Sequence, residues 1–246
     1  MEVHAHSHTP RKKWTHYLWE FLMLFLAVFA GFLAENLREH IKDKQRVHEY
    51  MESIVSDLQS DLAMYQSGQD FNKMHLQSID TLINSLHENK ITKLDYYRAR
   101  QLTMGSTVIS PNTKTYDQLK SSGILRLIHN HVIADNISSY YQWINKFDYW
   151  SDLQKQRISG VIDINEKIFD GYAFFQVLKE LQTGARTDSA SIKSTLTASD
   201  TQAINSVIMK YQYYYGMLIL MNQRIALASA EATRLLEMIK KEYRLE

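Results

Sequence analysis

The sequence predicts an all-α protein in which an N-terminal transmembrane helix continues into an elongated antiparallel helical bundle. Only two prolines and eight glycines occur in 246 residues, so long stretches contain nothing that interrupts helical hydrogen bonding. One apolar run, Phe21 to Ala34, is fourteen residues long. Elsewhere, apolar residues recur three and four positions apart, which is the spacing of an amphipathic helix.

Composition excludes several functional classes. Lysine and arginine total 28 and aspartate and glutamate 27, so no charge excess favours nucleic acid as a partner. The chain has no cysteine, which excludes disulfides, thiolate metal sites and a cysteine nucleophile. The cellular compartment must therefore be inferred from the N-terminal segment.

The apolar run is the centre of a predicted membrane span. At about 1.5 Å per residue its fourteen residues cover about 21 Å, and extension back to Tyr17 gives about 27 Å, close to the ~30 Å hydrocarbon core. Trp14, Tyr17 and Trp19 are placed as interfacial aromatic anchors. The basic residues outside them are Arg11, Lys12 and Lys13. The pattern favours an uncleaved span over a cleavable secretory signal or a buried soluble helix, since the helical pattern continues past the apolar run.

The predicted organisation is a cytoplasmic His-rich basic tail at 1–16, a transmembrane helix at 17–34 and an extracytoplasmic helical bundle at 35–246. Basic residues both precede and follow the span, so their count alone does not fix the orientation. A short basic tail stays preferentially in the cytoplasm, whereas long domains are translocated largely regardless of charge. We therefore expect a single-pass protein of the bacterial inner membrane with its main domain in the periplasm.

One side of the predicted span carries a carboxylate and small residues. At 100° per residue, the residues that share this side are Glu20, Met23, Leu24, Ala27, Gly31, Ala34 and Glu35. Small residues four positions apart let helices approach closely in lipid, and an intramembrane carboxylate normally faces protein or water. This face predicts a helix–helix interface. The alternatives are a Glu20 solvated at the headgroups and an oligomeric ion pathway lined by Glu20.

After the span, the pattern predicts one continuous helix to about Gln66, with Gly68 as its stop. A second helix is expected over 71–87 and a third over 94–102. The segment "GSTVISPNTKTYDQLKSSG" contains turn residues and a short helix ending near Gly123.

The pattern in the second half of the sequence predicts two long helices separated by a loop. The first runs from about Asn130 to Gly171, and the last begins after a cap at Ser199 or Asp200 and continues almost to the C-terminus. The apolar stripe of the first is predicted at Ile133, Ile137, Tyr140, Ile144, Phe147, Ile158, Val161 and Ile168. The stripe of the last is predicted at Ile204, Ile208, Tyr211, Tyr215, Leu218, Ile225, Ala232, Leu236, Ile239 and Tyr243. The segment "LQTGARTDSASIKSTLTASD", which precedes the last helix, is predicted to be a loop, with a short helix inside it as the alternative. Polar residues that interrupt the apolar stripes either fix register, line a small cavity or face water. They are Ser151, Gln154, Asn165, Asn222 and Ser229.

Few residues suggest chemistry. His4, His6 and His8 alternate, so an extended tail would place three imidazoles on one side, where zinc, copper or nickel could bind, although a fortuitous affinity is the simpler interpretation. Asp57 and Asp61, one helical turn apart, are interpreted as a solvated face. No phosphate-binding loop, nucleophile elbow or helical metal motif occurs in the sequence. We therefore expect no enzymatic activity and no cofactor.

Three stretches together resemble a known group of proteins. They are "FLMLFLAVFAGFLAENLREH", "EYMESIVSDLQSDL" and "TYDQLKSSGILRLIHNHVIADNISSYY". The chain is similar over residues 18–141 to uncharacterised bacterial proteins with one N-terminal membrane helix and a helical extracytoplasmic domain. The resemblance implies a membrane-anchored helical protein of bacteria. It implies no residue roles, and the "HAHSH" tail departs from the group's pattern.

These observations support three functional hypotheses. The leading one is a non-enzymatic protein that inserts in the lipid bilayer, forms a homo-oligomer and binds another membrane protein of the envelope. The second is a sensor or ligand-binding bundle that signals through a partner, because a tail of about sixteen residues is too short for an output domain. The third is an oligomeric channel or accessory subunit that uses Glu20. Nucleic acid is not an expected partner.

Overall fold

The computed structural model describes residues 14–183 and 196–245. This part of the chain contains α-helices and one 3₁₀-helix and no strand, so the all-α prediction is confirmed. The helices are α1 (Trp14–His87), α2 (Lys93–Gln101), α3 (Lys114–Ser121), the 3₁₀-helix η1 (Ile124–Leu127), α4 (His131–Ile144), α5 (Phe147–Ile168), α6 (Gly171–Thr183) and α7 (Thr201–Tyr243). The chain divides into two compact units, Met1–Glu49 and Tyr50–Glu246.

Helix α1 does not stop where the sequence suggested. It continues through Gly68 to His87, so the predicted helix end at Gly68 and the separate helix over 71–87 are both wrong. A single glycine inside a helix costs only about 1 kcal/mol relative to alanine, which the packing of the surrounding apolar side chains outweighs. Met51, Ile54, Leu58 and Tyr65, which precede this glycine, are completely buried.

The segment between α2 and α3, residues 102–113, runs back along α1 in the opposite direction and is called the return segment. Five contacts give its course. Gln101 reaches Met74, Thr107 bonds to Asn72, the Ser110 N–H lies 3.3 Å from the Met64 sulfur, and Asn112 bonds to Asp61 and Asp57. This return brings the chain back to the level of Asp57 before α3 and α4 begin. Helix α4 can therefore run in the same direction as α1.

The predicted helix from Asn130 to Gly171 is divided in two. Asn130 caps α4, since its side-chain oxygen accepts hydrogen bonds from the Val132 and Ile133 N–H groups, and the helix ends at Ile144. Helix α5 then begins at Phe147. The apolar stripe predicted over both helices is confirmed, because all of its members are buried. They are Ile133, Ile137, Tyr140, Ile144, Phe147, Ile158, Val161 and Ile168.

Helix α6 begins immediately beyond that stripe. The sequence predicted that the long helix ends at Gly171 and allowed a further short helix only within 181–200, whereas in the structure Gly171 begins α6. Asp170 caps α6, since its carboxylate accepts a 2.7 Å hydrogen bond from the Ala173 N–H. Phe169, which is extended and buried, separates α6 from α5. Residues 184–195 of the predicted loop lie outside the described residues.

The predicted cap of α7 at Asp200 is confirmed, since the Asp200 side chain accepts a hydrogen bond from the Ala203 N–H. Apart from Met217, its buried positions alternate four and three residues apart, which is the spacing that keeps one seam of a helix against its neighbours. They are Val207, Tyr211, Tyr214, Leu218, Met221, Ile225, Ala228, Ala232, Leu235 and Ile239. The stripe predicted from the sequence also contained Ile204, Ile208, Tyr215, Leu236 and Tyr243, and these residues are only half-buried.

Side-chain pairs fix the directions of the long helices in the second unit. Asn72 pairs with Asn222 and His75 with Tyr214, so α1 and α7 are antiparallel. Trp150 contacts Arg224 and Asn165 bonds to Tyr211, so α5 and α7 are antiparallel as well. Helices α1 and α5 must then be parallel to each other. The antiparallel direction predicted for the bundle is thus found between α7 and each of the other two long helices.

A smaller helix pair completes this unit. Helices α2 and α6 are antiparallel, since Lys93 forms a 3.0 Å ion pair with Glu180 while Tyr96 packs edge-to-face on Phe169 and near Phe174. These aromatic residues share one core with α5 and α7. Burial of a large apolar side chain contributes about 1.5–3 kcal/mol, so this core stabilises the α2–α6 pair against the rest of the unit.

Candidate functional site

The first candidate site is the apolar part of α1. An 18-residue window there has a mean hydropathy of 2.0, and none of it is buried within the protein. Among the described residues this is the one helix that is long and apolar enough to cross a membrane. Trp14, Tyr17 and Trp19, the predicted interfacial anchors, are exposed at its start. Arg11, Lys12 and Lys13 lie outside the described residues.

The face proposed as a helix–helix interface is uncovered within its own unit. All seven of its residues are exposed, namely Glu20, Met23, Leu24, Ala27, Gly31, Ala34 and Glu35. A Cβ atom added to Gly31 would meet no atom within 4 Å. The small residues therefore leave open space beside the helix, which is the geometry that close helix–helix approach requires.

The carboxylates on this face have partners on their own helix. The Glu20 Oε1 atom lies 2.9 Å from the His16 Nε2 atom, one turn earlier, and Glu35 pairs with Arg38. Glu20 thus does not depend on another chain for a polar partner. This weakens the interpretation in which a carboxylate drives association between helices. The proposed interface then depends on the small residues Ala27 and Gly31.

The predicted metal site cannot be placed. His4, His6 and His8 lie outside the described residues. Within residues 14–183 and 196–245, no group of three or more histidine, aspartate or glutamate side chains is arranged to hold a metal ion.

The second unit contains a buried cluster of polar residues where α1, α4 and the return segment meet. The Asp61 carboxylate accepts hydrogen bonds from the Asn112 N–H at 2.9 Å and from the Tyr140 hydroxyl at 2.9 Å, and Tyr65 lies 3.0 Å from Tyr140. Asp57 accepts a 2.6 Å hydrogen bond from the Asn112 side chain. The two aspartates therefore hold the return segment on α1.

The interpretation of these aspartates as a solvated face is wrong. Asp61 is 2% exposed and Asp57 is 9% exposed. Burial raises the pKa of the Asp61 carboxyl, the hydrogen bonds from Asn112 and Tyr140 oppose that change, and repulsion from Asp57 reinforces it. The sequence did carry a signal, since Asp61 lies three residues after Leu58 and four before Tyr65, on the apolar side of the helix.

A second polar layer crosses the middle of the unit. The Gln154 amide donates to the Thr107 hydroxyl at 3.2 Å, Thr107 bonds to Asn72, and Asn72 donates to Asn222 at 2.8 Å. Each hydrogen bond joins a different element, from α5 through the return segment to α1 and α7. Gln154 and Asn222 thus fix register, which is one of the roles that the sequence left open for them.

His75 lies beside this layer. Its Nδ1 atom is 3.2 Å from the Tyr214 hydroxyl, and its ring packs on Phe71 with centroids 4.1 Å apart. Burial lowers the pKa of His75 to about 4, and burial raises the pKa of Tyr214 to about 12. At neutral pH His75 is therefore an uncharged hydrogen-bonding partner of a protonated tyrosine.

Asn165 is a buried polar residue with one side-chain donor left over. Its Oδ1 atom accepts a 2.9 Å hydrogen bond from the Tyr211 hydroxyl, whereas its Nδ2 atom is buried and has no acceptor among the described residues. A buried donor without an acceptor costs about 1–3 kcal/mol. Asn165 also lines a cavity of about 350 Å³ beside α2, α5 and α6. Of the roles left open for this residue, the structure shows cavity lining.

Arg100 lines the same cavity, and the sequence analysis did not identify it. Its Nε atom is also buried without an acceptor in the described part of the chain. No motif marks this residue, since α2 is short and Arg100 is one of two arginines in its last turn. Only the packing of α6 against α2 and α5 brings Arg100 and Asn165 to one cavity.

Comparison with known proteins gives no identification, since no family model, curated protein or solved structure matches this chain.

Proposed function

We propose that this chain is a non-enzymatic, single-span protein of the bacterial inner membrane that self-associates in the bilayer and binds another envelope component. One observation carries the proposal: an 18-residue window of α1 has a mean hydropathy of 2.0 and none of it is buried. Exposed apolar surface of this extent is unfavourable in water and favourable in lipid.

The exposed aromatic residues support the same assignment. Trp14, Tyr17 and Trp19 lie at the start of the apolar segment, where amphipathic rings favour the headgroup level of a bilayer. Lipid does not drive apolar helices together, so association depends on close packing. The open surface at Ala27 and Gly31 supports packing against a second copy.

The periplasmic location of the second unit is part of the proposal. It has a direct test because the chain has no cysteine. Single cysteines introduced as Ser7→Cys and Ser206→Cys would be labelled in intact cells with a maleimide that crosses only the outer membrane. We expect labelling at 206 and none at 7 until the cells are lysed, and the reverse pattern would overturn the orientation.

Self-association is tested by native mass spectrometry of the full chain extracted in mild detergent. The variant Gly31→Leu fills the open surface, and Ala30→Leu adds comparable bulk one residue away, outside the proposed face. We expect an intact N-terminus and a defined oligomer that Gly31→Leu reduces and Ala30→Leu retains. Equal oligomer in both variants, or a monomer from the unmodified chain, would contradict the proposal. A mass beginning at Gly31 would identify the segment as a cleaved signal.

A further inference from the structure

The cavity beside α2, α5 and α6 is built around hydrogen-bond donors. Asn165 is 6% exposed, so its amide is fixed among core residues and is not a surface group. Tyr211 is completely buried, and its hydroxyl donates a 2.9 Å hydrogen bond to the Asn165 Oδ1 atom. What remains of the amide is the Nδ2 donor, which has no acceptor within the described chain.

A positive charge lines the same space. The Arg100 Nε atom is a second buried donor without an acceptor in the described residues. A guanidinium and an amide N–H are the groups that recognise carboxylate oxygens, and hydrogen bonds to an ionised acceptor are stronger than those between neutral groups. The two donors therefore require an acceptor that the described chain does not supply, and they favour an anionic one.

The remaining wall of the cavity is apolar and aromatic. Phe169 and Phe174 line it and pack edge-to-face with ring centroids 5.2 Å apart. Tyr96 packs against both rings, so the wall is held by the core. A Cβ atom added to Gly171 would meet nothing within 4 Å, which leaves room on that side. A volume of about 350 Å³ is within the usual range of small-molecule sites.

Glu166 restricts the charge of the occupant. Glu166 is an exposed residue that also lines the cavity, and its negative charge disfavours a ligand that carries more than one negative charge. We propose that this cavity binds a small organic monocarboxylate whose carboxylate accepts hydrogen bonds from the Arg100 Nε and Asn165 Nδ2 atoms, and whose apolar group packs on Phe169 and Phe174. This site is independent of the proposed bilayer role of the N-terminal segment.

The test measures binding of benzoate to the full chain in lipid nanodiscs by isothermal titration calorimetry, with empty nanodiscs as the blank. Benzamide and benzylamine have the same ring with a neutral and a cationic group. We expect benzoate to bind at least tenfold more tightly than either. Absence of benzoate binding up to about 10 mM, or tighter binding of benzylamine, would overturn the proposal.

Two variants assign the binding to this cavity. Asn165→Asp keeps an oxygen for the Tyr211 hydroxyl and replaces the Nδ2 donor with a second oxygen, so we expect at least a tenfold loss of benzoate affinity. Arg100→Met removes the guanidinium, and we expect a loss of the same order. Arg157→Met is the matched control, since Arg157 is an exposed arginine of α5 over the Tyr213 ring and outside the cavity.

Circular dichroism and the melting temperature of each variant show whether it is folded. If Asn165→Asp does not fold, the folded Arg100→Met variant decides the outcome. Benzoate affinity that is unchanged in a folded variant of either residue, or reduced equally in Arg157→Met, would place the binding elsewhere and overturn the proposal.

Discussion

A Cβ atom added to Gly68 would lie 2.6 Å from the Ile109 Cδ1 atom, closer than real side chains approach. The same atom would lie 3.2 Å from the Thr107 Cγ2 atom. Gly68 therefore lies where the side chains of the return segment pack directly against α1. The glycine that resembles a helix end in the sequence is instead a packing requirement in the middle of a helix.

We expect Gly68→Val to destabilise the protein by about 1–3 kcal/mol, because a branched side chain must displace the buried Ile109. Gly216→Ala is the matched control in α7, where an added Cβ atom meets nothing within 4 Å. This control should stabilise the protein by about 0.5–1 kcal/mol through helix propensity. Urea unfolding of both variants measures these changes. A Gly68→Val variant as stable as the unmodified chain would show that the return segment is not closely packed there.

The buried His75 should make the protein less stable in mild acid. Its pKa is lowered to about 4 in the folded state, so the unfolded chain binds the proton more tightly. The contribution of uncharged His75 to the free energy of unfolding is complete above pH 6.5, the ordinary pKa of histidine. This contribution is lost as the pH falls from 6.5 toward 4. At pH 5 the expected loss is about 2 kcal/mol. Urea unfolding between pH 7.5 and about 5 should show this slope in the unmodified chain and not in His75→Gln, and equal slopes would contradict the prediction.

Asp61 should affect the pH dependence of stability in the direction opposite to His75. Burial raises the pKa of its carboxyl, so its contribution to stability is fully present below the ordinary value of 3.8 and is lost as the pH rises through the folded value. Asp61→Asn removes this titration and keeps one acceptor oxygen. The unmodified chain should therefore gain stability relative to Asp61→Asn as the pH falls from 7 to about 4. A constant difference between the two proteins across that range would contradict this expectation.

The ion pair between Lys93 and Glu180 should couple α2 to α6. Both side chains are largely buried, with exposed fractions of 19% and 4%, and their charged atoms are 3.0 Å apart. Lys93→Met leaves a buried carboxylate without this partner and should cost about 3–5 kcal/mol. The double variant Lys93→Met with Glu180→Met should recover most of that loss, because no buried charge remains. Additive effects in a double-mutant cycle measured in urea would show that the pair is not coupled.

Local patterns were sufficient to predict many elements. The Asp200 cap and the buried stripe from Ile133 to Ile168 follow from residues that are neighbours in sequence, so they could be predicted. Helix α6 could not, because its cap at Asp170 is adjacent to a buried extended residue, Phe169, whose position depends on packing against Tyr96. Similarly, the parallel direction of α1 and α5 depends on the return segment, which has no periodicity of its own.

The sequence by itself determined the helical class, the apolar segment near the N-terminus and the four-and-three repeat of α7. These features depend on local periodicity and on side-chain hydrophobicity, which act over a few turns of helix. Only the tertiary structure decided that Asp61 is buried, that Gly68 lies against Ile109, and that Arg100 and Asn165 line one cavity. Each of these depends on which segments pack together, because burial and hydrogen-bond satisfaction are set by neighbours that are distant in sequence.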